Sequence, residues 1–563
     1  MNSRVLGVIC ATVIAGCLLG ESMGDELNVC SFGAKGDGKQ DNTAAFQKAL
    51  DEAMKAGGGT VMVPNGQYRF DGCLTIRCDV TLEGMWKAPT ARSAGRGTTL
   101  LVYGDRGNET GHPFITLGQN ACIKGLAVYY PEQYTDGRIE PYPWCIASNG
   151  GANSSIIDVL LVNPYQAVDF GSKQSGRHYI RNLYGQPLRR GIYVNKCYDV
   201  GRIENVHFWP FWRSWHRNPD LREWLTEHGE AFLFGRTDWE YVLNTFCFGY
   251  NVGYKFIGTE EGACNGNFLG IGADWCETAV LVEQVQGMGV QITNGEFVAV
   301  PGEFPVELRV ASGCGGNVLL NNCNFWGNSE HIAVLQGDGL TSFNQCHFWN
   351  WDRFRKGNTA IRAEKGHVSL MGCGFMGPWP QVYLGKDVAG AVIVGNQFMG
   401  KTRIKNYSEG DVQIGLNVGG KIKNVPPGAI LIDDDDEDAI ELTGEWKWAL
   451  DSSWINGACH YAGPGAATAT AVWKTKVGLS GNYEVLVWVG ADTGNDHATN
   501  APYTLKIGKQ TKKIEIDQHG PERQWRSLGV YGVSAGQTVK IVLTNEADRN
   551  VVADAVILKL LPE

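Results

Sequence analysis

At 563 residues the chain is too long for one ordinary core, and its length suits a long solenoid joined to a second domain. A net charge of −10 with no basic tract argues against nucleic acid and against charge-driven adhesion to an anionic membrane. The 74 glycines suit repeated corners, and the 18 tryptophans suit sugar-stacking surfaces, although buried aromatics account for many of them.

Residues 1–24 read as a secretory signal. Arg4 gives the positive start, Val5 to Leu19 the apolar core, and Ser22-Met23-Gly24 a small-x-small cleavage site. Ile14-Ala15-Gly16-Cys17 also resembles a bacterial lipobox, so the expectation is a secreted or periplasmic protein, with a lipid on Cys17 as the alternative. No other run is long enough to span a bilayer. Fourteen cysteines follow the leader, 16 less Cys10 and Cys17. Export favours disulfides, but the repeat described below predicts that at least three stay thiols.

Asn28 to Gly84 reads as an entry cap. Asp41 to Ala56 is amphipathic, with Phe46, Ala49, Leu50 and Ala53 on one face and Asp41 or Asn42 as N-cap. A helix that closes the open end is what a solenoid requires. Phe32-Gly33-Ala34-Lys35-Gly36-Asp37-Gly38, Asp41-Asn42-Thr43-Ala44-Ala45-Phe46 and Gly58-Gly59-Thr60 to Tyr68 resemble the opening signature of pectate-lyase-like proteins of the rhamnogalacturonase and epimerase type. That resemblance implies a parallel β-helix. It leaves the reaction open among hydrolase, lyase, epimerase and tailspike, and it implies structural roles for Asp37 and Asp41.

The clearest repeat runs from Gly316 to Gly400. Phe325, Phe348, Phe375 and Phe398 end four similar lines, 23, 27 and 23 residues apart. Alternating apolar residues precede each line, and the alternation slips by one where Asn or Gly sits, the residues that tolerate a left-handed corner. The pattern predicts a right-handed, single-stranded parallel β-helix over 25–424. Stacking then makes Cys323, Cys346 and Cys373 an inward ladder and leaves Trp326 and Trp349 facing solvent.

Val425-Pro426-Pro427-Gly428 reads as a linker over 425–432. From Ile430 short alternating strands predict an antiparallel β-sandwich over 433–563, so the whole chain is all-β with an N-terminal capping helix. Trp446, Trp454, Trp473, Gly481 to Val485, Trp525 to Gly529 and Val551 to Val556 resemble the golvesin C-terminal and xanthan-lyase-type domain. The resemblance implies targeting to a glycan. Asp433 to Asp436, Glu437 and Asp438 offer the oxygen ligands calcium takes, without the spacing of a named loop. The expectation is a solvated acidic linker and no cofactor, with calcium as the alternative.

Glycoside hydrolysis needs two carboxyl groups, whereas lyase chemistry needs a base and a means of neutralising a uronate carboxylate. The Asn-Thr-Asp, Asp-Asp and Gly-His-Gly set of polygalacturonase-type enzymes is not placed in the solenoid. The insertion from Trp209 to Glu230 breaks the period, and long loops on solenoids tend to be functional. It reads either as a groove wall or as a small helical knob. The expected catalytic groups are therefore Asp238, Glu240, Asp274 and Glu204, with Asp238 and Glu240 sharing a strand face. Trp209, Trp212, Trp215, Trp275 and Arg236 are the expected sugar contacts, and no metal is expected among them. The partner is a polysaccharide. The function is its degradation by a hydrolase or a lyase; the alternative is a non-catalytic glycan-binding or cell-surface protein.

Overall fold

The computed structural model describes residues 27–562 apart from 87–95, 134–136, 210–218, 355, 378, 400, 420–424, 435, 437–438, 451–452, 456–457, 493 and 495. The signal and Cys17 lie outside the described residues. So do Asp435, Glu437 and Asp438 of the acidic run.

Residues 27–419 wind into a parallel β-helix. Their strands form one sheet of 37 strands, and successive coils pair in parallel. Each coil has three faces. In one coil these are Arg202–Glu204, Val206–Phe208 and Glu230–Phe234. Each lies on its counterpart in the next coil: Glu204 on Leu243, Phe208 on Cys247, Phe234 on Phe256.

The corner between the first two faces has the predicted chemistry. Asn205, Asn294, Asn322 and Gln345 have φ of 51°, 56°, 53° and 53°, and Gly372 and Gly395 take the same place at 63° and 68°. The asparagines bond along the axis as well. Asn205 Nδ2 donates to Asn182 Oδ1 at 2.7 Å, and Asn322 Nδ2 to Asn294 Oδ1 at 2.8 Å. Inside the corner the repeated phenylalanines stack. Phe325–Phe348, Phe348–Phe375 and Phe375–Phe398 centroids are 5.5, 4.7 and 4.8 Å apart, close to the spacing of paired strands. Cys323, Cys346 and Cys373 are buried thiols beside them, and Trp326 and Trp349 are exposed.

Helix α1 (Thr43–Lys55) closes the entry with Phe46, Ala49, Leu50 and Ala53 buried. Asp41 Oδ1 takes the Thr43 amide at 3.0 Å, while Asn42 is buried and bonds Lys35, Gln40 and Arg69. These are structural tasks.

After residue 430 the sheets are antiparallel. One orders its strands 430–432, 556–560, 481–489 and 524–533; another orders 440–443, 470–476, 538–544, 501–507 and 510–516. Trp473, Tyr503, Ile541 and Val556 lie in a core separate from that of the solenoid. Asp433 and Asp434 are buried, not solvated as the acidic composition led us to expect. Among the described residues no helix is long and apolar enough to cross a membrane.

Candidate functional site

The expected constellation divides between two ends of a coil. Arg236 and Asp238 sit in the turn after strand Glu230–Phe234, where they pair at 3.6 Å and Arg236 lies over Tyr198, 5.6 Å from its ring centre. Trp209 and Asp274 sit at the opposite corner. The five-residue strand between the corners separates them by roughly 16 Å.

Glu240 is not in a groove at all. It is wholly buried inside the solenoid, with Oε1 2.9 Å from His178 Nε2. The shared face predicted for Asp238 and Glu240 fails because Trp239 has φ of 77° and interrupts the strand alternation. Asp238 therefore points to water and Glu240 to the interior. Trp212 and Trp215 lie outside the described residues. The insertion does contain a helix, α2 (Pro219–His228), which packs Leu221 and Leu225 on the core and stacks Trp224 on His228 at 4.8 Å. Glu230, at its end, is held below the usual carboxylate range: burial raises it, but Lys255 at 2.9 Å and Arg189 and Arg190 lower it by more. Glu230 is thus an ion-paired strut.

A different cluster forms on the outer surface of the second face. One residue before the inward Phe208, His207 points outward, level with Tyr184 in the preceding coil and Phe246 in the next. Its ring meets Trp209 edge-on at 5.0 Å and Phe246 edge-on at 5.1 Å, with Tyr184 6.4 Å away. His207 Nε2 is buried with no hydrogen-bond partner, and burial holds the imidazole below its ordinary pKa. The Tyr184 hydroxyl accepts from Asn205 Nδ2 at 3.1 Å. Across the asparagine corner lie Arg181, Arg202 and Glu204, and Tyr179 donates to Glu204 Oε2 at 2.9 Å.

Along the axis the surface continues as an aromatic rim. Trp209 lies 6.3 Å from Phe248, which stacks on Trp275 at 6.4 Å. Asp274 stands on this rim; burial, with Glu296 adding to it, raises its carboxyl above the usual range. Further on, a cleft of about 580 Å³ is lined by Glu296, Asn324, Trp326 and Trp349, and Trp326 Nε1 donates to Glu296 Oε1 at 3.1 Å. Of the expected residues, the structure brings Trp209, Asp274 and Trp275 to one rim, while Glu204 stands across the asparagine corner on the neighbouring face, bonded to Tyr179. It adds Tyr184, His207, Arg181 and Glu296. The missed histidine carried a signal: His207 precedes Phe208 as His347 precedes Phe348, at the outward position of the same corner.

Residues 27–200 match the family model for rhamnogalacturonase A/epimerase, pectate lyase-like proteins, and residues 430–560 match the Golvesin C-terminal domain. Alginate lyase 7 of Azotobacter vinelandii is 45% identical over 144 residues, 23% of this chain and 16% of that protein. Xanthan lyase of Bacillus sp. (strain GL1) is 27% identical over 152 residues, 26% of this chain and 16% of that protein. The matches therefore span only 16% of either relative. Among solved structures, the A-module of the Azotobacter vinelandii mannuronan C-5 epimerase AlgE6 is 18% identical with a TM-score of 0.47, over 70% of this chain and 100% of that one.

Proposed function

We propose that this chain, which joins a pectate lyase-like β-helix of the rhamnogalacturonase A/epimerase type to a Golvesin C-terminal domain, is an exported enzyme that degrades a uronate-containing polysaccharide by β-elimination. The observation that carries the reading is His207, an imidazole in an outward aromatic surface whose buried Nε2 has no hydrogen-bond partner and whose pKa burial lowers. Elimination needs a base to remove the proton beside the uronate carboxylate, a positive group to draw charge into that carboxylate, and an acid for the leaving oxygen. His207 is the base. Arg181 and Arg202 face the sugar acid, and the Tyr184 hydroxyl, oriented by Asn205, protonates the leaving oxygen. Trp209 covers the imidazole at rest, so an entering sugar turns this indole aside and stacks on it. The names of the two relatives, alginate lyase and xanthan lyase, support the substrate class.

A hydrolytic reading rests on Asp274, whose raised carboxyl beside Glu296 is the acid of a two-carboxylate pair. Incubation of the secreted protein with a polysaccharide panel separates the two. Elimination produces new reducing ends together with the ultraviolet absorbance of unsaturated uronates; hydrolysis produces reducing ends alone. If every polysaccharide is bound and none is cut, the protein is a glycan-binding module instead.

A further inference from the structure

The beginning and the end of the C-terminal domain meet at three buried aspartates. Strand Ile430–Ile432 pairs antiparallel with the last strand, Ile432 opposite Val556. Continuing that register by two residues sets Asp434 opposite Asp554, just past the ladder. Asp433, Asp434 and Asp554 are 1%, 2% and 2% exposed. One carboxylate oxygen from each lies within 4.8 Å of the other two. Like charges facing each other on paired strands repel, and burial raises the cost.

Two neighbours reach the cluster. His460 Nδ1 lies 2.7 Å from Asp434 Oδ2, which gives that carboxylate one hydrogen-bond partner. Arg403 Nη2, from the end of the solenoid, stands 3.8 Å from Asp433. Asp554 differs from both. Its Oδ2 accepts the Ile455 amide at 3.0 Å, while its Oδ1 is buried and accepts nothing. A buried, unpartnered carboxylate oxygen beside two more carboxylates is a donor set for a hard cation, since zinc and copper favour nitrogen and sulfur. Calcium–oxygen bonds of about 2.3–2.6 Å accommodate oxygens as far as ~4.8 Å apart. A way in exists as well. Asp434 and His460 line a cavity of about 680 Å³ whose other wall is Trp379, Pro380 and Arg403 of the solenoid.

We propose that Asp433, Asp434 and Asp554 bind one calcium ion, which ties the first strand of the C-terminal domain to its last at the seam with the solenoid. The ion neutralises the facing carboxylates and satisfies Asp554 Oδ1. Binding to the folded chain alone makes stability depend on calcium concentration.

The test uses the full chain, stripped with EGTA and re-equilibrated with calcium, with magnesium or with neither. Bound metal is read by inductively coupled plasma mass spectrometry, and unfolding of the C-terminal domain by calorimetry. The expected result is retained calcium and an upward shift of about 5–10 °C at roughly a hundredfold excess over Kd, with a smaller shift in magnesium. Asp554→Asn and Asp433→Asn should each lose one equivalent of calcium and the shift, with circular dichroism confirming the fold. If Asp554→Asn does not fold, Asp433→Asn decides. Absence of bound calcium, equal effects of magnesium, or variants that keep both the ion and the shift would overturn the assignment.

Discussion

His178 Nε2 lies 2.9 Å from Glu240 Oε1 in the interior of the solenoid, and neither side chain is exposed. The other ring nitrogen of His178 faces the Ser175 carbonyl at 2.8 Å. Burial lowers the His178 pKa, but the Glu240 charge together with hydrogen bonds to Cys197 and Glu240 raises it by more, holding the imidazole well above the ordinary value of 6.5. Removing one member strands the other as an uncompensated buried group, so Glu240→Ala should cost ~3–5 kcal/mol in urea unfolding. Activity per folded molecule should stay unchanged. The pH dependence has a definite sign. A raised folded-state histidine contributes fully below 6.5, and the contribution is lost as pH rises through the folded value. Stability measured between neutral and alkaline pH should therefore fall, and fall less in His178→Gln.

The corner makes a second prediction. Asn322 holds φ of 53° and donates to Asn294 at 2.8 Å. Asn322→Ala loses the bond and strains the backbone, at ~1–2 kcal/mol. Asn322→Gly loses only the bond and should cost less. Chemical denaturation of the two variants checks the order; a glycine variant as unstable as the alanine one would remove backbone strain as the reason for asparagine there.

This corner is also why the solenoid was readable. A left-handed residue every coil favours Asn or Gly, although Gln345 also holds one, and the phenylalanine stacked inside the corner recurs at the same interval. Glu240 was not readable in the same way. Trp239 also takes a left-handed φ, but tryptophan does not advertise one, so plain alternation put Glu240 outside. Tyr184 and His207 turn outward because the alternation slips at Asn182 and Asn205, whose φ are 54° and 51°. Applying the corner rule found in the later coils to residues 179–209 exposes both. Asp554 lies 120 residues beyond Asp434, and only the strand register brings them together.

The third prediction concerns the thiols. Cys323, Cys346 and Cys373 are free and buried, and Cys346 Sγ reaches the Asn344 carbonyl at 3.5 Å. A buried thiol packs as a small apolar group. Denaturation without reductant should release all three to a thiol reagent. Cys346→Ser should destabilise by ~1–3 kcal/mol, because a hydroxyl replaces the thiol in an apolar stack. Protection of the three from the reagent in the unfolded chain would mean disulfides and a different register.

The last prediction tests His207 as the base. Burial lowers its pKa below 6.5, so the neutral imidazole persists at neutral pH and is lost only as pH falls through that lowered value. A base must be unprotonated to act, so the acidic limb of kcat/KM against an active polysaccharide should lie below pH 6.5. His207→Gln should cut kcat about a hundredfold or more and erase that limb while leaving the fold intact, since the ring lies outside the core. Trp349→Ala, in the cleft further along the axis, should instead raise KM with little change in kcat, as loss of a stacking subsite does. Near-full activity in His207→Gln, with Asp274→Asn inactive, would transfer the chemistry to the Asp274–Glu296 pair and make the reaction a hydrolysis.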